Sequence, residues 1–247
     1  MIFTVHQLNS VDSTNTYLQE YLHREKVEEG FVVSAIEQTA GRGHGRNSWE
    51  SDPGKNLTFS LLLRPFFIPP ENQFLLTQII SLAMVDLLLE ILPKKKVTIK
   101  WPNDIYIGNK KVAGILIQNF IKGATIDYTI AGIGLNVNQE IFLSDALNPV
   151  SLIHFTQKPL VLADVLDRLL MQIKKVYEQS GSVTVREEIN KKYLSHLFRY
   201  QEMAAFKEKG VRFQASISGI GKFGQLILLH ENGEEKSYSF KEVEFVI

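Results

Sequence analysis

Residues 97–118 read VTIKWPNDIYIGNKKVAGILIQ, and this stretch decides the fold. A short apolar strand over 97–100 has to stop before Pro102, because proline cannot donate to a sheet ladder. Two further apolar runs, 105–107 and 112–118, are separated by Gly108-Asn109, a residue pair typical of hairpin turns. Hairpins that follow one another directly indicate an α+β fold with a mixed sheet, rather than strictly alternating strands and helices.

Helices and strands can also be predicted from the sequence on both sides of this stretch. Helical periodicity is clearest over 162–177, where apolar residues recur on one face. Asp12 or Ser13 is expected to cap the first helix. The other expected elements are strands over 2–7, 31–37, 57–63 and 126–137, and helices over 71–92 and 185–197.

The character of the chain changes from about Gln201. Short alternating runs over 211–217, 225–229 and 235–240 are separated by glycines, a pattern typical of a small all-β unit. We therefore expect two domains, a main domain over 1–198 and a small barrel-like domain over 199–247.

Composition excludes several classes of function. Lys+Arg and Asp+Glu number 27 each, so no global positive field draws the chain to nucleic acid or an anionic membrane. The absence of cysteine excludes disulfides and thiolate catalysis. The most apolar stretch, 74–92, contains Gln78, Asp86 and Glu90, which favours a buried helix over a membrane span. With no signal-peptide pattern at the N-terminus, a cytoplasmic location is expected.

The segment 38–49, QTAGRGHGRNSW, is the first candidate for chemistry. Its three glycines allow backbone N–H groups to approach a ligand closely, and Arg42 and Arg46 carry permanent charge for carboxylate or phosphate. Trp49 offers a flat ring for a base. A surface turn with two solvated arginines is the alternative, and the segment lacks the pattern of a Walker loop.

Four other motifs are weaker when taken singly. They are Asp12-Ser13-Thr14-Asn15, the Lys100–Asp104 run, the Lys110–Gly114 run, and Gly132-Ile-Gly134-Leu-Asn136. Each has a structural explanation of its own: a helix cap, a strand end, a solvated turn and a tightly packed strand. The last lacks the third glycine of a dinucleotide fingerprint. The histidines show no spacing typical of a metal pair, so no metal ligands are predicted.

Together, these five segments occur in the order and spacing that the biotin–protein ligase family has, from residue 11 to about 138. The chain resembles the monofunctional members, because Ser13 lies too near the start for a DNA-binding domain to precede it. The resemblance implies an α+β catalytic domain, related to class II aminoacyl-tRNA synthetases, followed by an SH3-like barrel. It implies that ATP and Mg²⁺ convert biotin to biotinyl-5'-AMP, and that biotin passes to a lysine of a biotin carboxyl carrier protein.

The resemblance also assigns roles to individual residues. The biotin ring would be held by Ser13, Thr14 and Gln38, with Asn15 close by, and Gly114 and Gly132 would form the pocket wall. The loop that closes over biotin and its adenylate would consist of Gly41, Arg42, Gly43 and His44. Lys100 and Lys111 would join Arg42 as catalytic cations, and Trp49, Asn103 and Asn136 would lie on the ATP side. At His44 the family often has arginine, so the role of that side chain is open.

Three alternatives remain at this level. A lipoate or octanoyl ligase shares the fold, but its arginine-arginine-x-serine-glycine-glycine-glycine loop is absent here. A biotin-sensing module without catalysis would not need the three cations, and a purely structural protein would leave them unexplained. The carrier expected from the family is that of acetyl-CoA carboxylase, and a homodimer is possible.

Overall fold

The computed structural model describes residues 1–43, 45, 47–143 and 148–246. Within these residues the chain forms a seven-stranded sheet, which five helices accompany, and then a five-stranded sheet. This confirms the α+β class and the mixed sheet that the hairpin pattern predicts.

The main sheet has the strand order β1-β2-β3-β7-β6-β5-β4. Its first two strands pair in parallel, and all other neighbours pair antiparallel. The hairpin across Gly108-Asn109 is present, with Gly108 at φ +60°, a left-handed conformation that glycine adopts readily. The strands are β1 (Thr4–Val11), β2 (Phe31–Gln38), β3 (Leu57–Leu63), β4 (Val97–Lys100), β5 (Asp104–Ile107), β6 (Lys110–Lys122) and β7 (Thr125–Leu135).

Helices cover the two faces of this sheet unequally. The long apolar helix and the amphipathic helix at 162–179 pack against one another over one face, with the main core between them and the sheet. The first helix packs on the other face over a smaller cluster around Leu18. The helices are α1 (Thr14–Arg24), α2 (Phe74–Ile91), α3 (Ile153–Thr156), α4 (Leu162–Gln179) and α5 (Val183–Ser195).

The prediction of a buried helix at 74–92 is confirmed. By length and composition alone the stretch Pro70–Ile91 could cross a membrane, but 72% of its apolar window is buried inside the protein. A single turn of 3₁₀ helix, Pro70–Asn72, precedes α2, so the helix begins three residues later than the pattern predicts.

The C-terminal sheet has the order β11-β10-β9-β8-β12. Three of its strands were expected, while β8 and β12 were not. Buried side chains of this sheet, including Phe206 and Leu228, belong to the same hydrophobic cluster as those of the main sheet. Closure into a barrel and the boundary at residue 198 stay predictions. The strands are β8 (Ala204–Glu208), β9 (Val211–Ile220), β10 (Leu226–His230), β11 (Glu235–Tyr238) and β12 (Glu244–Phe245).

Candidate active site

A cavity of about 100 Å³ lies on the α1 side of the main sheet, against β6 and β7. Residues far apart in the sequence converge there from the start of α1, the 38–49 segment, the β4–β5 turn and the C-terminal sheet region. Of the residues that the sequence assigns to the site, those that line this cavity are Ser13, Thr14, Asn15, Gln38, Arg42, Gly43, Trp49, Asn103, Lys111, Gly114 and Gly132.

The N-terminus of α1 forms the polar end of the cavity. Ser13 is the N-cap residue, as expected, yet its side chain makes no capping hydrogen bond. Gln38, at the end of β2, instead receives the Thr14 amide: its Oε1 accepts that N–H at 2.8 Å and the Thr14 hydroxyl at 3.2 Å. The amide oxygen of Gln38 is therefore engaged, and the Ser13 hydroxyl lines the cavity without serving the helix.

The side chain of Asn15 packs directly against the main sheet at Gly132, where the absence of a side chain leaves room for it. A Cβ at position 132 would come within 2.9 Å of Asn15 Cγ, which is closer than such contacts normally are. The Asn15 side chain donates to Gln118 Oε1 at 3.0 Å and accepts from the Ser60 hydroxyl at 2.5 Å. Both polar atoms of Asn15 are thus used within the protein, so it lines the cavity as part of the wall.

The 38–49 segment folds back on itself beside the cavity. Trp49 donates its backbone N–H to Gly41 at 2.9 Å, and Gly43 donates to Asn47 at 2.7 Å. Gly41 is buried under Trp49 and does not line the cavity, whereas Arg42 is exposed and does. His44, whose role was open, and Arg46 lie outside the described residues.

The indole of Trp49 packs onto two glycines of the sheet. A Cβ at Gly134 would lie 2.6 Å from Trp49 Cζ2, and one at Gly114 would lie 3.2 Å from Cζ3. Trp49 Nε1 is buried and has no hydrogen-bond partner in the described part of the chain. The indole therefore forms the part of the cavity wall that lies against β6 and β7.

An ion pair flanks the indole. Lys111 Nζ lies 2.7 Å from Asp104 Oδ1 and 5.6 Å from the centroid of the Trp49 ring. Asn103, on the adjacent turn, donates to the backbone oxygen of Ile115. This end of the cavity therefore combines an ion pair with an aromatic ring, whereas the side chains at the Thr14 end are uncharged.

Lys100 lies outside the cavity wall. Its strand runs along the edge of the sheet, and its ammonium packs between the rings of Tyr106, at 5.5 Å, and Phe245, at 5.4 Å. Burial lowers the pKa of Lys100; nearby Asp104 raises that pKa, and the positive charges of Lys111 and Arg199 lower it. Lys100 is thus electrostatically linked to the Asp104–Lys111 pair without lining the cavity.

Asn136 is also away from the cavity wall. It is buried, and its amide donates to the backbone oxygen of Val150 at 3.1 Å. Its Oδ1 is buried without a partner among the residues that the structure describes. The predicted position of Asn136 beside the adenine is therefore not seen in this conformation, and its role stays a prediction.

Ser60 and Phe240 are among the residues of the site that were missed at the level of sequence. Ser60 is fully buried in β3 and contacts both Thr14 and Asn15. A lone serine within the apolar run LTFSLLL was a usable signal for it. Phe240 lines the cavity from the C-terminal region, and no local pattern marks it.

The fold and cavity together define a mixed-sheet protein whose cavity is lined by uncharged hydrogen-bonding side chains and by the cations of Arg42 and Lys111. The sequence profile of the biotin/lipoate A/B protein ligase family matches residues 8–136. This match covers more than half of the chain, so the chain belongs to that family.

Individual relatives agree with this assignment. The bifunctional ligase/repressor BirA of Bacillus spizizenii is 41% identical over 112 residues, which are 45% of this chain and 34% of that protein. The human biotin–protein ligase is 27% identical over 215 residues, covering 84% of this chain and 29% of that protein. The chain thus spans about a third of the length of these curated relatives.

A solved structure matches over almost the whole chain. The biotin protein ligase from Aquifex aeolicus, in complex with biotin and ATP, superposes with a TM-score of 0.79 at 28% identity. The match covers 98% of this chain and 99% of that one, and it therefore includes the C-terminal sheet.

Proposed function

We propose that this protein is a biotin–protein ligase, which activates biotin with ATP and transfers it to a lysine of a carrier protein. The observation that carries the proposal is one cavity lined both by uncharged hydrogen-bonding side chains, at Thr14 and Gln38, and by the cations of Arg42 and Lys111, of which Lys111 is paired with Asp104. Biotin has the matching polarity, because its cyclic urea is neutral and its side chain ends in a carboxylate.

The neutral end supports biotin over lipoate. A cyclic urea offers two N–H donors and a carbonyl acceptor, which hydroxyls and an amide can satisfy. The dithiolane of lipoate offers neither, so it would leave these polar groups unpaired at a cost in binding. Ser13, Thr14 and Gln38 would bind the urea, with Asn15 behind them.

The cationic end supports the activation step. The biotin carboxylate attacks the α-phosphate of ATP, a mixed anhydride forms and pyrophosphate leaves. Two unit charges about 4 Å apart repel by about 4 kcal/mol at an effective dielectric of 20. Arg42 and Lys111, with Lys100 behind them, would offset this repulsion and stabilise the charge that develops. No nucleophile from the protein is needed.

Magnesium would accompany ATP. Mg²⁺ is usually bound through substrate phosphates and one or two carboxylates. The described residues contain no cluster of three or more side chains able to hold a metal, and Asp104 is the carboxylate that lines the cavity. The ion would supply further positive charge at the phosphates.

The transfer step needs a carrier lysine and the exclusion of water. The lysine amine attacks the anhydride carbonyl, loses a proton and expels AMP. The 38–49 segment beside the cavity would keep water from the adenylate. A relative from Paracoccus denitrificans, 36% identical over 109 residues, is a biotin–[acetyl-CoA-carboxylase] ligase. We propose the carboxylase carrier as acceptor and the cytoplasm as location.

The test is adenylate formation without any carrier. Purified protein is mixed with ATP, Mg²⁺ and either biotin or lipoate, and products are identified by mass spectrometry. Biotinyl-AMP and pyrophosphate are expected in the mixture that contains biotin, and no adenylate is expected in the mixture that contains lipoate. Adenylate from lipoate only would place the chain with the lipoate ligases, and biotin binding without adenylate would indicate a sensing module.

A further inference from the structure

A continuous chain of hydrogen bonds runs behind the neutral end of the cavity. It passes from Gln38 to Thr14, from Thr14 to Ser60, from Ser60 to Asn15 and from Asn15 to Gln118. Ser60 is its central member, with no exposed surface. It pairs with Gly132 in the neighbouring strand, the position whose missing side chain leaves room for Asn15.

The donors and acceptors in this chain follow one order. Asn15 uses its amide nitrogen to donate to Gln118, so its oxygen faces Ser60. The Ser60 oxygen lies 2.5 Å from Asn15 Oδ1 and 2.8 Å from Thr14 Oγ1, and its single proton is donated to one of these two acceptors at a time. The proton of Thr14 goes to Gln38 Oε1 at 3.2 Å. The Thr14 hydroxyl is therefore left with an acceptor lone pair for the cavity.

We propose that Ser60 is a positioning residue for the cyclic urea of biotin: it fixes the Thr14 hydroxyl as an acceptor for a ligand N–H. This inference rests on the proposed function. Gln38 completes the pattern, because its oxygen is occupied by Thr14 and its amide nitrogen is the end left to donate to a carbonyl. One acceptor beside one donor is the complement of an N–H next to a C=O.

The chain offers a matched control for Ser60. Ser81, in α2, is equally buried, and its hydroxyl has no partner within the described residues. Ser60→Ala and Ser81→Ala thus remove the same atom at the same burial, and only the first removes a donor from the urea site. A difference between them reports the hydrogen bonds rather than the loss of volume.

The experiment is a double-mutant cycle on biotin affinity, measured by titration calorimetry without ATP. We expect Ser60→Ala to raise the Kd for biotin about tenfold, the effect of one lost hydrogen bond, and Ser81→Ala to leave it within about twofold. Because Ser60 acts through Thr14, adding Ser60→Ala to Thr14→Val should weaken binding by less than about twofold more. The KM for ATP should not change.

Each outcome decides the inference. A Kd unchanged by Ser60→Ala, or effects of the two substitutions that simply add, would overturn it while leaving the ligase assignment intact. Failure of the unsubstituted protein to bind biotin would overturn the proposed function itself. If Ser60→Ala does not fold, Gln118→Ala replaces it; this partly exposed position fixes the Asn15 amide from the other side, and a rise in Kd of about threefold is expected. No rise would overturn the inference.

Discussion

At the Thr14 end of the cavity the polar side chains hold one another, whereas the Lys111 end includes an indole whose N–H has no hydrogen-bond partner within the described part of the chain. Thr14, Asn15 and Ser60 are all buried and joined to strands of the main sheet. Arg42 is exposed, and Trp49 rests on two glycines. The two ends therefore differ in how many hydrogen bonds within the protein hold their side chains in place.

The largest effect should come from removing a cation. We expect Arg42→Ala or Lys100→Ala to lower the rate of adenylate formation about a hundredfold or more, by analogy with the loss of one preorganised charge contact. For Lys100→Ala, biotin affinity should change little, because Lys100 lies outside the cavity wall. Single-turnover formation of biotinyl-AMP measures the rate.

Lys110→Ala is the control for these cations, since Lys110 is exposed and does not line the cavity. Near-normal rates of adenylate formation in both Arg42→Ala and Lys100→Ala would contradict the proposal that these cations stabilise the transition state.

The next effect concerns the neutral end. Gly132→Ala would drive a methyl group into Asn15 and disturb the bonds to Thr14. With two hydrogen bonds compromised, the Kd for biotin should rise about 30-fold. Gly181→Ala is the matched substitution, because a Cβ there has nothing within 4 Å. Equal affinities in the two variants would show that Asn15 can shift without consequence.

A smaller effect, on the KM for ATP, is expected from a substitution at Gly134, the next glycine after Gly132 in β7. Gly134→Ala would push the Trp49 indole off the sheet. Since aromatic contacts contribute about 1 kcal/mol, the KM for ATP should rise about fivefold to tenfold, with biotin affinity nearly unchanged. Steady-state kinetics with each substrate varied in turn separate the two. A larger effect on biotin than on ATP would contradict the proposed position of Trp49 on the ATP side.

The smallest effect should appear only in the pH profile. The ammonium form of Lys100 carries the useful charge, and burial lowers its pKa, so activity should fall at a lower pH than an ordinary lysine would allow. Phe245→Ala uncovers this ammonium, and the alkaline limb of the rate profile should move to higher pH. At neutral pH the rate should change by only about threefold, since the loss of one cation–π contact costs roughly 0.5–1 kcal/mol.

Phe213→Ala, in the same C-terminal sheet but stacked on Phe206 instead, should leave that limb in place. A shift common to both variants would point to general loosening of the sheet.

The sequence was most informative where the signal is local. The strand at 57–63, the hairpin across Gly108-Asn109 and the amphipathic helix at 162–179 follow from patterns within a few residues, and the structure confirms them. Thr14 is the first residue of α1 and Gln38 is the last residue of β2, so local sequence motifs were enough to indicate both positions. Their side chains line the cavity as expected.

The sequence could not reveal contacts between distant segments. Lys100 was expected at the cavity, but Phe245, which comes from the last strand, packs over it instead. Strand β12 is two residues long and exists through its pairing with β8, so no periodicity could indicate it. The full set of bonds around Asn15 required knowing that β3 and β6 both flank β7.

The chain has two tryptophans, and they differ in a way that is useful optically. Trp101 is buried, and its indole donates to the Gly224 oxygen at 2.8 Å, so its emission should be nearly constant. Trp49 lies in the cavity wall, where its indole N–H has no partner among the described residues and the Lys111 ammonium lies beside its ring. A ligand that contacts Trp49 would change these surroundings, so its fluorescence offers a reporter of occupancy, with Trp101 as a reference in the same spectrum.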